Sequence, residues 1–401
     1  MGALSEPTRR PDRRAWVSLA LIGVAELLGM SLWFTASAVA PLLQARWGLD
    51  VAEAASLTSA VQIGFVLGTA AAALLNLADL VPARTYFGWS ALLAAIANAA
   101  LLLADGYAPA LAARVATGFL LAGVYPPAMK MAATWFRDRR GLAIGVVVGA
   151  LTVGKATPWL VRALPGTGLV WVVLGASAAA ALGAGLVLAF YRDGPFPFPR
   201  RAFSWSRVGE VIRHRETRLA TLGYLGHMWE LYAMWAWLPA FLAASAAVRG
   251  GAGGWSDGLA FASIAAGGLG CVWGGWAADR WGRERVVNGA MAVSGGCALL
   301  SVPAFGAPLW VLGALTCVWG FSVIADSAQF SALVTEVAPP HAVGTALTLQ
   351  TSLGFLLTAV TIQLVPALAR DHGWALAFPV LALGPAAGIA AIARLRRLRR
   401  G

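Results

Sequence analysis

Glu26-Leu27-Leu28-Gly29-Met30-Ser31-Leu32-Trp33 returns 204 residues later as Glu230-Leu231-Tyr232-Ala233-Met234-Trp235-Ala236-Trp237. Glu, Leu, Met and Trp recur at the same spacing. Glu, Met and Trp stand at i, i+4 and i+7, which puts them on one helix face. Each copy lies inside an apolar run of about 20 residues, the length that crosses a hydrocarbon core of roughly 30 Å. A charge at that depth costs at least about 2.5–3.5 kcal/mol. A carboxylate kept twice at the same depth therefore has a use, and the repeat implies two halves of one plan.

The whole chain carries the same signal. It is 59% hydrophobic and 12% charged, with a mean hydropathy of +0.72. A soluble domain carries roughly 25% charge, so an all-α integral membrane protein is expected. The net charge of +12 does not imply nucleic acid, because the basic residues cluster between apolar runs. Cys271, Cys297 and Cys317 lie singly, without the spacing of a metal site or a disulfide framework. Neither metal nor cofactor is expected. Lysine occurs only at 130 and 155; with the abundant Ala, Gly and Arg this composition fits a GC-rich bacterial genome. The first apolar run is too long for a cleaved leader and reads as a retained span.

Twelve spans are expected, at about 16–39, 55–76, 86–104, 109–134, 141–162, 168–191, 219–246, 256–277, 286–305, 308–334, 343–367 and 374–394. With the N-terminus in the cytoplasm, 23 of the 30 basic residues fall on that side and four on the other, as the positive-inside rule requires. Both termini are then cytoplasmic, in a bacterial plasma membrane. The expected organisation is a six-helix bundle over 1–191, a basic linker over 192–218 and a second bundle over 219–401. The linker opens on the extended GPFPFP stretch, and its continuation, SRVGEVIRHRETR, suits a surface helix against anionic headgroups.

Six charges lie at lipid depth: Glu26, Arg114, Lys130, Lys155, Glu230 and Asp326. They fall on spans 1, 4, 5, 7 and 10 and avoid 3, 6, 9 and 12. Such residues line a polar pathway or lock helices together. Glu26 and Glu230, with His227 one turn from Glu230, are candidates for proton coupling, since burial favours the neutral carboxyl and imidazole titrates near neutrality. Lys130 and Lys155 suit an anionic substrate. Tyr125, Trp33 and Trp237 would wall it beside Asp326 and Gln329, within an aromatic set that also holds Trp229, Tyr232 and Trp235. Arg114 lies near the outer end of span 4, within reach of the interface by snorkelling. The alternative is that three acids simply neutralise three bases.

The loop Gly275-Trp276-Ala277-Ala278-Asp279-Arg280-Trp281-Gly282-Arg283-Glu284-Arg285 resembles the G-x-x-x-D-R-x-G-R loop of the major facilitator superfamily. A weaker copy after span 2 keeps Asp79 and Arg84, with Pro82 in place of the glycine. Arg114-Val115-Ala116-Thr117-Gly118 is similar to the R-x-x-x-G of the same superfamily. Trp135 to Gly145 looks like the junction found in monocarboxylate, oxalate/formate, cyanate and nitrate porters. The resemblance implies two pseudo-symmetric six-helix bundles with spans 1, 4, 7 and 10 around a central cavity. It also implies a gate built from Gly275, Asp279, Arg280, Gly282 and Arg283, with Asp79, Arg84 and Arg114.

The expected function is a monomeric secondary transporter of a small solute, favouring an anion, coupled to protons and embedded in lipid. The competing reading is an efflux antiporter of amphipathic compounds. Against it, Gly145-Val146-Val147-Val148-Gly149 is followed by Ala150, where the antiporter signature has proline. A transport-like sensor is the alternative of another class. No phosphate loop, metal cluster or nucleophile elbow marks an enzyme.

Overall fold

The computed structural model describes residues 13–136, 139–196, 203–251 and 254–399. The Arg137–Asp138 pair and the second half of the GPFPFP stretch, 197–199, lie outside them, as does the side chain of Asp79. Twelve helical spans follow one another: Arg13–Trp47, Val51–Leu74, Ala83–Leu103, Tyr107–Trp135, Gly141–Ala163 and Leu169–Phe190 (spans 1–6), then Arg215–Val248, Ser256–Trp281, Arg283–Ala304, Leu309–Val337, Pro340–His372 and Trp374–Leu398 (spans 7–12). Each is long and apolar enough to cross a membrane. An even number of crossings returns both ends of the chain to one side, called here the terminal side.

Packing follows the repeat. Span 1 packs on 5 and 6, span 2 on 4, and span 3 on 4 and 6; adding six to each number gives the second set of contacts. Between the halves, span 5 lies along span 8 and span 2 along span 11. Small residues make these approaches possible. A methyl on Gly64, Gly68 or Gly118 would overlap backbone of the facing span, and so would one on Gly270, Gly274 or Gly320 in the second half. Across the halves, a Cβ on Gly145 would stand 2.9 Å from the Cys271 carbonyl oxygen, and one on Gly149 2.8 Å from that of Gly268. Spans 5 and 8 therefore touch through backbone.

Spans 1, 4 and 10 are broken near their middles. Span 1 stops helically at Met30, turns through 31–34 and resumes at Thr35. Ser31 helps end it, because its hydroxyl donates to the Leu28 carbonyl at 2.7 Å and the Ala176 carbonyl at 3.1 Å. Span 4 breaks at 122–124, where Pro126 and Pro127 bring no N–H to the carbonyls four residues back. Span 10 breaks at Asp326. Span 7 runs unbroken over Arg215–Val248 in spite of Pro239.

Two expectations need correcting. Span 1 continues to Trp47, beyond the expected 39, because its second segment resumes after the break. Trp33 sits in that break, so it does not share a regular helical face with Glu26 and Met30. The linker's helix is short, Val208–Arg213, and it docks on protein: Glu210 pairs with His341 at 2.9 Å, and Ser204 N–H donates to Thr345 at 3.0 Å.

Candidate functional site

Arg114 is wholly buried and reaches across to the break in span 1. Its guanidinium donates to the carbonyls of Leu32 (3.0 Å) and Trp33 (2.6 Å) and to Asn98 Oδ1 (2.7 Å). Asn98 in turn donates to Ser177 at 3.0 Å. The carbonyls freed by the break find their donors here, as buried backbone must. Arg114 therefore does not snorkel; it fixes the shape of span 1.

Trp33, held by that break, covers Lys155 at the centre of the molecule. The Lys155 ammonium lies 3.8 Å from the Trp33 ring centroid, 4.5 Å from Tyr232 and 5.8 Å from Trp235. It also donates a hydrogen bond to the Tyr232 hydroxyl. Lys155 is 1% exposed, and among the described residues no carboxylate lies within ion-pair distance of it. The acid acting on it is Glu26, also buried, whose two carboxylate oxygens have no hydrogen-bond partner. Tyr125, just past the break in span 4, shares that electrostatic neighbourhood. Lys130 stands about nine residues nearer the terminal side than Lys155, or roughly 13 Å along the helix axis.

The second half holds its charges differently. Glu230 accepts from Ser294 at 2.8 Å and from the Trp319 indole at 2.7 Å, which joins spans 7, 9 and 10. His227 Nδ1 lies 2.8 Å from Asp326 Oδ1, both buried, though off the line of a good hydrogen bond. Gln329 accepts from Arg283 at 2.6 Å and so belongs with the loop after span 8. Trp237 donates to the Ile362 carbonyl at 2.8 Å and packs on Trp374, away from Lys155. Neither Arg114 nor Lys155 is in ion-pair contact with Glu26, Glu230 or Asp326.

At the terminal side, span 8 gives way to span 9 through Gly282 alone, whose φ of +86° strains any other residue. The Asp279 carboxylate sits against Gly141 in the first turn of span 5, 3.3 Å from where a Cβ would stand. A helix N-terminus attracts such a charge. Gly275 approaches the Gly141 carbonyl in the same contact. Arg280 lies over its own helix's Trp276, at 4.0 Å, and Arg283 bonds Glu336 at 2.6 Å. Arg84, in the weaker copy, is exposed. On the opposite side, Arg162 of span 5 pairs with Asp257 of span 8 at 3.0 Å and donates to the Ala38 carbonyl. The halves thus meet at both ends. Hollows of about 460 and 720 Å³ open at the two ends, while the centre is filled with side chains.

The family model of the Major Facilitator Superfamily matches residues 21–362. The chain belongs to that superfamily. It is a multi-pass membrane transporter by family, with the expected twelve helices. No curated protein matches the chain. For a member of this superfamily, the sequence missed partners that carry no charge: Ser294 and Trp319 on Glu230, Asn98 on Arg114, and Phe65 and Phe355 beside Trp33. Only Trp319 and Asn98, polar groups within apolar runs, left a signal that could have been followed. Arg162 and Asp257 meet only through the packing of span 5 on span 8, so nothing local in the sequence marks the pair.

Proposed function

We infer that this transporter moves a small organic anion across the plasma membrane of a bacterium, with protons, by alternating access. One observation carries the reading. Lys155 is a buried cation at the meeting of the halves, caged by neutral rings and without an acid in contact. A buried charge left that way costs several kcal/mol unless a partner arrives. An anion is such a partner. Glu26 supplies the coupling: once an anion takes the charge of Lys155, the buried carboxylate of Glu26 has nothing to balance it and is neutralised by a proton. Solute anion and proton then enter together. His227 and Asp326 form a second buried pair, whereas Glu230, with both oxygens satisfied, acts as an anchor.

The terminal side is the cytoplasmic one on the distribution of basic residues. The Asp279–span 5 contact then closes the inner face and Arg162–Asp257 the outer face. The protein works as a monomer in lipid. The aromatic lining supports efflux of amphipathic compounds as the second reading.

Proteoliposomes with an inward proton gradient, offered labelled acetate, lactate and oxalate, test the proposal. Gradient-driven uptake of at least one anion by wild type, lost about a hundredfold or more in Lys155→Met, is expected. Uptake that persists undiminished in Lys155→Met, or ligand stabilisation by amphipathic cations alone, overturns it.

A further inference from the structure

The geometry points to a flat aromatic carboxylate as the occupant of the site between the halves. This rests on Lys155 being an anion site and adds what the anion must carry.

Each half brings three rings to the centre: Trp33, Phe34 and Phe65 from the first, Tyr232, Trp235 and Phe355 from the second. All are 5% exposed or less. They interdigitate across the boundary. Phe65 and Phe355 have centroids 4.5 Å apart, Trp33 and Phe355 5.6 Å, and Trp33 and Tyr232 5.7 Å. These separations are those of favourable ring pairs. If alternating access parts the halves, the cross-boundary pairs separate and their faces are exposed. An aliphatic anion would leave that loss uncompensated. A ring inserted between Trp33, Phe65 and Phe355 restores ring-on-ring contact while the halves are apart.

The polar groups around the rings specify the other end of the ligand. Lys155 stands on the Trp33 face, and the indole N–H groups of Trp33 and Trp235 are buried without partners. In span 2, three residues before Phe65, the buried Gln62 side-chain amide is also unpartnered. Unsatisfied buried donors in a native structure call for an explanation. One ammonium with neighbouring N–H donors suits an acceptor with two oxygens, a carboxylate, held at one edge of the ring.

The test uses the purified full-length protein, with binding read by calorimetry and thermal stabilisation. Benzoate, cyclohexanecarboxylate, lactate, benzamide and benzylamine are the probes. Benzoate is expected to bind about tenfold more tightly than its saturated counterpart of similar size, the equivalent of one or two ring contacts. Phe355→Leu should bring the two acids together, and Lys155→Met should abolish binding of both. Equal binding of benzoate and cyclohexanecarboxylate, or tighter binding of lactate, overturns the aromatic class; if Lys155→Met still removes that binding, the anion site stands. Tighter binding of benzylamine or benzamide than of benzoate overturns both. The wild-type comparison decides even if a variant fails to fold.

Discussion

Spans 1 and 7 are copies that have come apart in use. Both carry a buried glutamate at matching positions, followed by Met and Trp. Span 1 breaks four residues past its glutamate, is held open by Arg114, and leaves Glu26 without a hydrogen bond. Span 7 stays helical, and Glu230 is tied to spans 9 and 10 by Ser294 and Trp319. A satisfied buried carboxylate stiffens its neighbours; an unsatisfied one is poised to change its charge or partner. Identical letters in a repeat therefore mark equal depth, not equal work.

The largest effect is expected where the broken copy is held. Arg114→Leu leaves the Trp33 carbonyl and Asn98 Oδ1 without their donor and the Leu32 carbonyl with only a long bond from Thr35 N–H, each unsatisfied group costing about 1–3 kcal/mol when buried. The variant should lose about 3 kcal/mol or more, visible as a large fall in melting temperature and in folded yield. Trp319→Phe, which removes one donor from Glu230 in the unbroken copy, should cost only about 1–2 kcal/mol. Equal losses from the two substitutions would mean that the break needs no special support.

The two glutamates themselves give the next test. Glu26→Gln replaces a carboxylate that makes no hydrogen bond, so the protein should melt within about 1 kcal/mol of wild type. Accumulation driven by a proton gradient should disappear while exchange of solute between the two sides survives, because an amide cannot titrate. Glu230→Gln replaces one of the two accepting oxygens with an amide nitrogen that cannot accept, and should cost about 1–2 kcal/mol, with accumulation kept. Liposome uptake and melting of both variants decide. If Glu230→Gln uncouples and Glu26→Gln does not, the assignment is reversed.

How much of this was legible in the sequence follows from the physics of each signal. Twelve spans could be read because hydrocarbon thickness sets their length, and the turn Phe305–Pro308 between spans 9 and 10 stands where the chain placed it. Six charges at lipid depth could be read because each is costly there. Their partners could not. Arg114 is satisfied by backbone carbonyls, which have no letter of their own, and Glu230 by a serine and an indole that look ordinary in an apolar run. The rings of Phe65 and Phe355 meet only through the folding of spans 2 and 11 together. The break in span 1 was hidden as well, since no proline or glycine occupies 31–34.

A smaller effect is expected at the terminal-side contact between spans 5 and 8. Asp279→Asn removes a charge beside the N-terminus of span 5, an interaction of about 0.3–1 kcal/mol and at most about 2 kcal/mol when partly buried. Melting should hardly move. Transport should slow by about two- to tenfold, because one access state loses a contact that the other never had. Wild-type rates in folded Asp279→Asn would remove this contact from the cycle.

The smallest effect belongs to the opposite end of the same two spans. Arg162 and Asp257 are each about a quarter exposed, at 27% and 20% for their side chains, so solvent screens the pair and its worth is about 0–1 kcal/mol. Asp257→Asn removes the ion pair but leaves the bond from Arg162 to the Ala38 carbonyl, which keeps span 5 attached to span 1. Only the link between the halves is weakened. The closed state at this end should therefore fall in population by no more than about fivefold, the equivalent of 1 kcal/mol. A cysteine introduced at Gly258, beside Ala163 across the same boundary, reports on it through its rate of labelling by an impermeant thiol reagent from that side. Labelling should rise about two- to fivefold with Asp257→Asn, and added salt should produce part of the same rise in the parent, because screening weakens an exposed pair. A labelling rate indifferent to both changes would show that backbone contact between spans 5 and 8, rather than charge, closes this end, and would leave Asp279 as the one polar contact tested here that distinguishes the two ends of the interface.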